Sequence, residues 1–383
     1  MTTPSQSQHP RVGIVHERFT DIAGSEQVVQ RIAEVFPEGP IIVPFLRESG
    51  VPDVERERVV TSYLQKPYES VQKISYAPLL PAVPRALRSA VAREHRDRPL
   101  DALVISHHAF AVAAARDDVP TLAYVHSPAR WAWDRNFLAG ETNSVPGRAA
   151  LTTLGRLARS NEKRHVPQID AIVGNSTTVR QRINDWWGSE AEVIHPPVNV
   201  DYFAPDENSP QRGDYFIAVG RMVPYKRVDI AVHAAIEAQV KLVVIGAGRD
   251  FERVSEIAAM APALINLKGF LPTPEVRDLI QGARALLMPG EEDFGIVPVE
   301  ATAAGTPVVA LGKGGALDSV IDGVTGIHVP PGADDAETVA NFADALRNFP
   351  DSRFERDRLI EHAATFSPEA FQKKMAAAVS AML

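Results

Sequence analysis

The chain has 383 residues, of which 45% are hydrophobic and 23% charged, with a net charge of −8 and no cysteine. That is the composition of a globular protein of about two domains; it excludes a disordered chain, a collagen-like fibre and a disulfide scaffold, and with them thiolate metal sites, iron–sulfur clusters and cysteine nucleophiles. The charge is uneven: residues 1–202 hold 23 basic and 23 acidic side chains and residues 203–383 hold 17 and 25, which argues against a nucleic-acid partner.

In chain order, Met1–Pro10 is polar, lacks the apolar core of a signal peptide and reads as a short disordered tail. The first half then alternates short apolar runs with amphipathic stretches. Strands are predicted at Val12–Val15, Ile41–Phe45, Ala102–Ser106, Thr121–Val125, Ala171–Gly174 and Glu192–His195. Helices are predicted at Ser25–Phe36, Arg85–Arg96, Ala149–Arg164 and Thr177–Trp187. Runs of Val, Ile and Leu without polar alternation suit parallel strands covered on both faces. The second half repeats the scheme, with strands at Tyr215–Val219, Lys241–Ile245, Leu264–Leu267, Ala285–Met288, Val308–Leu311 and Gly326–Val329. Its helices are Val228–Ala238, Phe251–Met260, Pro274–Gly282, Ile296–Ala304 and Ala336–Phe349. The alternation predicts two doubly wound α/β domains facing a central cleft. The turn-rich stretch between His195 and Gly213 marks the boundary. The expected division is residues 1–202, residues 203–365, and a last helical segment, residues 366–383. No apolar run approaches the ~20 residues of a spanning helix, and the absence of cysteine fits a reducing cytoplasm.

In open parallel sheets ligands bind at the carboxyl ends of strands, so the loops after the strands are where chemistry is sought. Asp21-Ile-Ala-Gly-Ser-Glu26 follows the first strand; Gly24 permits close backbone approach, and Ser25 is a candidate N-cap. Tyr124-Val-His-Ser-Pro-Ala-Arg-Trp-Ala-Trp-Asp134 places His126 at a strand end, followed by Arg130, Trp131 and Trp133. A histidine there is either a structural hydrogen-bonder or a ligand group; Trp faces suit sugars. Val219-Gly220-Arg-Met-Val-Pro-Tyr-Lys-Arg227 brings Arg221 and Lys226 to a strand end. An Arg fork and a Lys point charge suit a diphosphate; a solvated basic turn is the plainer reading. Ile245-Gly-Ala-Gly-Arg249 is only a fragment of the dinucleotide fingerprint, and a tight turn explains it. Gly290-Glu-Glu-Asp-Phe-Gly-Ile-Val-Pro-Val-Glu300 runs into an apolar helix, whose free N–H groups favour an anion or a sugar hydroxyl. Its plainer reading has Glu292 capping the helix and Glu300 in an internal salt bridge.

Together these residues resemble the retaining family-4 glycosyltransferases, which have the GT-B fold of two Rossmann-like domains. The resemblance covers nearly the whole chain. Its most specific part is Glu292-x7-Glu300 with the Phe294-Gly295-Ile296 core, in register with Gly220-Arg221-x4-Lys226. The loop His126-Ser-Pro-x-Arg-x-x-Trp-Asp134 is similar to bacterial mannosyltransferases of surface-polysaccharide synthesis. The first loop departs from the pattern, with Ala23-Gly24 where relatives often have two glycines.

The resemblance implies a metal-independent hexosyltransferase that uses a nucleotide sugar, GDP-mannose first and a UDP-hexose second, with no other cofactor. Arg221 and Lys226 would hold the diphosphate, Glu300 the ribose and Glu292 the hydroxyls of the transferred sugar. Backbone amides of Phe294, Gly295 and Ile296 would hold sugar and phosphate, and the loop at Phe270 and Leu271 the base. Gly24 would approach phosphate and acceptor, and His126 would contact the sugar near its reacting carbon. No Asp-x-Asp pair occurs, which argues against a metal site of that type.

The first domain would bind the acceptor, a glycan or a polyprenyl- or lipid-linked sugar, with Arg88, Arg130, Trp131 and Trp133 facing acceptor or membrane. Two basic, partly apolar stretches, Leu79–Arg98 and Arg148–His165, suit peripheral contact with an anionic inner membrane face or a solvated helix face. Two other readings stay open on the same fold: a non-hydrolysing sugar-nucleotide epimerase and a non-catalytic nucleotide-sugar-binding subunit.

Overall fold

The computed structural model describes residues 10–71, 75–134, 145–207 and 209–383. Most of the Met1–Pro10 tail and the side chain of Arg148 lie outside the described residues. The chain divides into two units. One comprises the described part of Met1–Pro197 together with Glu369–Leu383, the other Val198–Pro368.

The first unit is a parallel sheet of seven strands: β1 (Val12–His16), β2 (Ile41–Val43), β3 (Val59–Thr61), β4 (Ala102–His107), β5 (Thr121–Val125), β6 (Ala171–Gly174) and β7 (Glu192–Val193). Their order is β3-β2-β1-β4-β5-β6-β7. Alternate residues feed opposite faces, as the strand period requires. Val15, Ile42, Leu103 and Ile105 face the helix Val83–Asp97, which contributes Ala86, Leu87, Ala90 and Val91. Ile14, Ile41, Val43 and Val104 face the helix Gly24–Val35 and the last helix, Pro368–Ser380, which contributes Phe371, Met375 and Val379. Each large side chain so buried stabilises the unit by about 1.5–3 kcal/mol. The sheet reverses its order between β1 and β4, so the carboxyl ends of these two strands flank the switch point.

The second unit is a parallel sheet of six strands: β8 (Tyr215–Val219), β9 (Lys241–Ile245), β10 (Ile265–Gly269), β11 (Leu286–Met288), β12 (Val308–Leu311) and β13 (Gly326–Val329). The order β10-β9-β8-β11-β12-β13 puts its switch point between β8 and β11. Phe216, Ala218, Leu242 and Val244 pack on the helices Val228–Ala238 and Asp335–Arg347. Ile217, Val243 and Ile245 pack on the opposite face with Val299 and Ala303 of the helix Ile296–Ala303.

Both units are thus the doubly wound α/β type that the alternation predicts. The differences have local causes. β2 stops at Val43 because Pro44 has no N–H for the ladder. β3 was not expected: it is a three-residue edge strand behind the charged run Glu55–Arg58. β10 ends at Gly269 after a register shift beyond Leu267. Among the described residues no helix is long and apolar enough to cross a membrane.

Candidate functional site

In the second unit the loops after β8 and β11 meet at the switch point. Lys226 folds back over the end of β8, so that a Cβ added at Gly220 would lie 3.5 Å from its Nζ. Its ammonium donates to the Glu292 carboxylate in the loop after β11. What allows the contact is Gly290: a Cβ there would sit 2.5 Å from the Tyr225 carbonyl oxygen and 2.7 Å from Lys226 Cα. Backbone at that distance leaves no room for a side chain. Burial pulls the Lys226 ammonium down, but the Glu292 carboxylate and the Tyr225 hydroxyl outweigh it and hold it above its ordinary value. The ammonium is therefore a fixed positive charge.

Glu300 lies one turn into Ile296–Ala303, between buried Val299 and Ala301. Burial raises its carboxyl to about 7, against the pull of Lys226. It forms no ion pair within 4.0 Å among the described residues, so the internal salt bridge offered as its plainer reading is absent. Nor does Glu292 cap the helix, whose N-cap is Gly295 at φ 92° with no side-chain bond. Arg221 is exposed, and its charge reaches Lys226. Phe294 is buried against Phe366, with ring centroids 5.5 Å apart. Leu271 is partly buried beside Phe270, a residue 81% exposed just after β10.

The loop after β12 belongs to the same cluster and was missed in the sequence. Gly315 N–H donates to the Glu292 carbonyl at 2.8 Å, and Lys313 pairs with Glu291 at 3.0 Å. The run Gly312-Lys313-Gly314-Gly315 directly after an apolar strand was the available signal.

The first unit gathers polar groups at the ends of β1, β4 and β5. His16 Nε2 bonds Glu26 Oε1 at 3.2 Å and its Nδ1 bonds Ser106 Oγ at 3.0 Å. Ser106 Oγ continues to His126 Nε2 at 2.8 Å. Burial opposes charge on Glu26, but the contact with His16, the backbone N–H and the Ser25 hydroxyl together outweigh it and lower the carboxyl to about 2. Burial holds His126 well below the usual imidazole range. Gly24 is the first residue of its helix, after the N-cap Ala23. Ser25 does not cap it; the Ser25 hydroxyl and the Ala23 N–H both donate to Glu26 Oε2, each at 3.0 Å.

Behind these residues lies a second, fully enclosed set. Glu17 Oε1 accepts from the N–H groups of His108, Ala109, Phe110 and Ala111 at 2.7–3.3 Å. His107 bridges Glu17 at 3.4 Å and Glu162 at 3.1 Å. Glu162 also accepts from Ala129 N–H at 2.8 Å and Trp187 Nε1 at 3.2 Å. Burial lowers His107, but the two carboxylates prevail and raise it to about 9. Glu17, His107 and Glu162 were also missed. The recurrence of histidine at successive strand ends, His16, His107 and His126, was their signal.

The residues expected at the acceptor or membrane serve packing in this unit. Trp133 Nε1 donates to Glu162, and its ring stacks on Trp186 at 6.0 Å. Trp131 lies 6.3 Å from the Phe110 ring, and Arg130 pairs with Asp134 at 3.7 Å. Arg88 donates to the Ala113 and Ala115 carbonyls at 3.2 Å each. Arg156, Lys163 and Arg164 are exposed on the helix Val145–His165.

The description "Glycosyl transferases group 1" matches residues 201–366, and "Glycosyltransferase Family 4" matches residues 22–202. D-inositol 3-phosphate glycosyltransferase of Kribbella flavida is 31% identical over 240 residues, 54% of this chain and 55% of that protein. The Mycobacterium avium protein of the same name is 33% identical over 231 residues, 54% of this chain and 53% of that one. The chain therefore spans about half the length of the curated relatives it matches. In structure it resembles sucrose-phosphate synthase from Thermosynechococcus elongatus, with TM-score 0.72 and 18% identity, over 97% of this chain and 98% of the other. It also resembles HepE of Anabaena in complex with UDP, with TM-score 0.67 and 17% identity, over 97% and 100% of the two chains. A third likeness, WaaG of lipopolysaccharide biosynthesis, has TM-score 0.67 and 14% identity over 95% and 98%.

Proposed function

Because the chain belongs to the family-4 glycosyltransferases, whose two domain models it matches in tandem, we propose that it moves a hexose from a nucleoside diphosphate to a hydroxyl of a glycan or lipid-linked acceptor. The observation that carries this reading is the cluster at the β8–β11 switch point. There Gly290 brings the paired Lys226 and Glu292 together, and Glu300 stands close enough to feel the ammonium.

The chemistry follows from charge. As the glycosidic bond breaks, negative charge grows on the departing diphosphate. Lys226, held protonated by Glu292, and Arg221 at the end of β8 stabilise that charge. In this reading the N–H groups of Phe294, Gly295 and Ile296 hold phosphate and sugar, and Glu300 takes the ribose hydroxyls. Glu292, anchored by Lys226, turns its remaining acceptor capacity to hydroxyls of the sugar. Phe270, exposed, and Leu271 line the base. The second unit is thus the donor side and the first the acceptor side, with Gly24 and His126 at its strand ends.

Transfer proceeds with retention and without a metal. The donor is GDP-mannose or a UDP-hexose; the UDP named with the Anabaena structure supports keeping the second beside the first. The exposed arginines of Val83–Asp97 and Val145–His165 support peripheral contact with an anionic membrane on the cytoplasmic side.

A thermal-shift panel of GDP-, UDP- and dTDP-sugars, followed by a transfer assay with the protecting donor, tests the proposal. A bound donor at 100 times its Kd protects by about 2.7 kcal/mol. Protection by none of them, or by a donor whose sugar is epimerised and never transferred, contradicts it.

A further inference from the structure

The polar groups in the first unit are joined in one line across three adjacent strands. In the β1–β4 register His16 stands opposite Ser106, and in the β4–β5 register Ser106 stands opposite Tyr124. His126 is two residues beyond Tyr124 and therefore on the same face. The result is the continuous chain Glu26 Oε1, His16 Nε2 and Nδ1, Ser106 Oγ, His126 Nε2, with links of 3.2, 3.0 and 2.8 Å. His16 and Ser106 are fully buried and Glu26 is 7% exposed. His126 is only partly buried, at the open end of the line.

A hydrogen-bond chain of this composition has a direction. A neutral imidazole has one donor and one acceptor nitrogen, and a carboxylate only accepts. With His16 neutral, Glu26 takes the proton-bearing Nε2 of His16, which leaves Nδ1 as the acceptor. The Ser106 hydroxyl must donate to that Nδ1, so its lone pair is what faces His126. His126 must then donate from Nε2, and its proton cannot reside on Nδ1. That Nδ1 has no hydrogen-bond partner among the described residues.

We infer that Glu26, His16 and Ser106 are positioning residues, which lock His126 as its Nε2–H tautomer and so present an Nδ1 lone pair to a hydroxyl group of the ligand. The idea rests on the proposed function for the identity of that hydroxyl, a sugar's, but not for the tautomer itself. His108, whose ring lies 5.9 Å from His16 and 6.2 Å from His126, is pushed down to about 3 by its burial and adds no charge to the line. Neighbouring Glu17 is consumed by its four amide donors and His107. Glu26 is thus the carboxylate that sets the direction.

Nitrogen-15 NMR of the full chain labelled at histidine reads the tautomer directly, with the His126→Gln spectrum identifying the resonances. At pH 7.5 and without ligand, His126 should show a pyridine-like Nδ1 and a pyrrole-like Nε2. The reverse assignment, or fast averaging of the two, overturns the proposal. Ser106→Ala removes the link and little volume; it should give an averaged His126 signal. It should also lower kcat about ten-fold, the cost of one misdirected hydrogen bond, with donor KM within about two-fold. Ser106→Thr keeps the hydroxyl and should restore the locked signal. An unchanged His126 signal in Ser106→Ala overturns the chain even if activity falls. A locked tautomer in a protein that transfers no sugar supports the chain and removes the functional reading instead.

Discussion

In the first unit Glu17 is 2% exposed, and one of its oxygens takes four backbone N–H groups and the edge of a histidine. In the second, Glu300 is raised to about 7 by burial and has no ion-pair partner among the described residues. Both carboxylates lie near the switch point of a parallel sheet, Glu17 directly after β1 and Glu300 on the helix that follows β11. One is saturated and the other is left wanting. A saturated buried charge fixes loops: Glu17 and Glu162 tie the segment after β4 and the segment after β5 to His107. A carboxylate left wanting costs stability, and the fold tolerates that where a ligand can supply the missing hydrogen bonds. The contrast separates scaffold from the proposed donor site more sharply than residue type does.

The largest expected effect is on the saturated side. Glu17→Ala strands four amides and leaves His107 with one carboxylate; it should destabilise the first unit by about 3–5 kcal/mol, as read by urea unfolding. A loss below about 1 kcal/mol would place Glu17 with the wanting carboxylates. Next is Lys226→Ala, which should weaken nucleotide-sugar binding about 100-fold, or about 2.7 kcal/mol, and leave the melting temperature of the free protein nearly unchanged. Donor protection equal to that of the natural chain would move the diphosphate elsewhere.

The pH profiles of the two units should then separate. His107 is raised from 6.5 to about 9, so its contribution is complete below pH 6.5 and is lost as the pH rises toward 9. Glu300 is raised from 4.5 to about 7. Between those values the folded form keeps a proton that the unfolded form has released, so the second unit loses stability from pH 4.5 to 7. Glu300→Gln should therefore stabilise the free protein at pH 8 by about 1–3 kcal/mol while abolishing donor protection. Hydrogen exchange followed separately in β4 and β8 checks both windows, and coincident windows would erase the contrast. The smallest effect is Arg88→Ala, which removes two hydrogen bonds to backbone carbonyls and should cost about 1 kcal/mol. If flotation with anionic liposomes also drops sharply in that variant, Arg88 faces a membrane as well as the Ala111–Ala114 turn.

Much of this was legible in the sequence, for a physical reason. Parallel strands buried on both faces are written as unbroken apolar runs, and Tyr215–Val219 and Thr121–Val125 have the same ends in sequence and structure. The cluster at the β8–β11 switch point could be read from the sequence because its residues come in two local runs, Gly220–Lys226 and Gly290–Glu300. The pairing of Lys226 with Glu292 was not, since it depends on a backbone approach at Gly290 between segments 66 residues apart. The line from Glu26 to His126 was hidden for the same reason. It runs through strand register, and Ser106 looks like any polar residue closing an apolar strand. The intramolecular partners of Trp131 and Trp133, the Phe110 and Trp186 rings and the Glu162 carboxylate, were not legible, because they come from segments distant in the chain.

Calorimetric titration of the natural chain and of Lys226→Ala with GDP and with UDP goes to the root of this. At least one nucleotide should bind the natural chain with a stoichiometry of about one, and the variant should bind it about 100-fold more weakly. Binding of equal strength in the two proteins, or of neither nucleotide to the natural chain, would contradict a donor diphosphate held at the β8–β11 switch point.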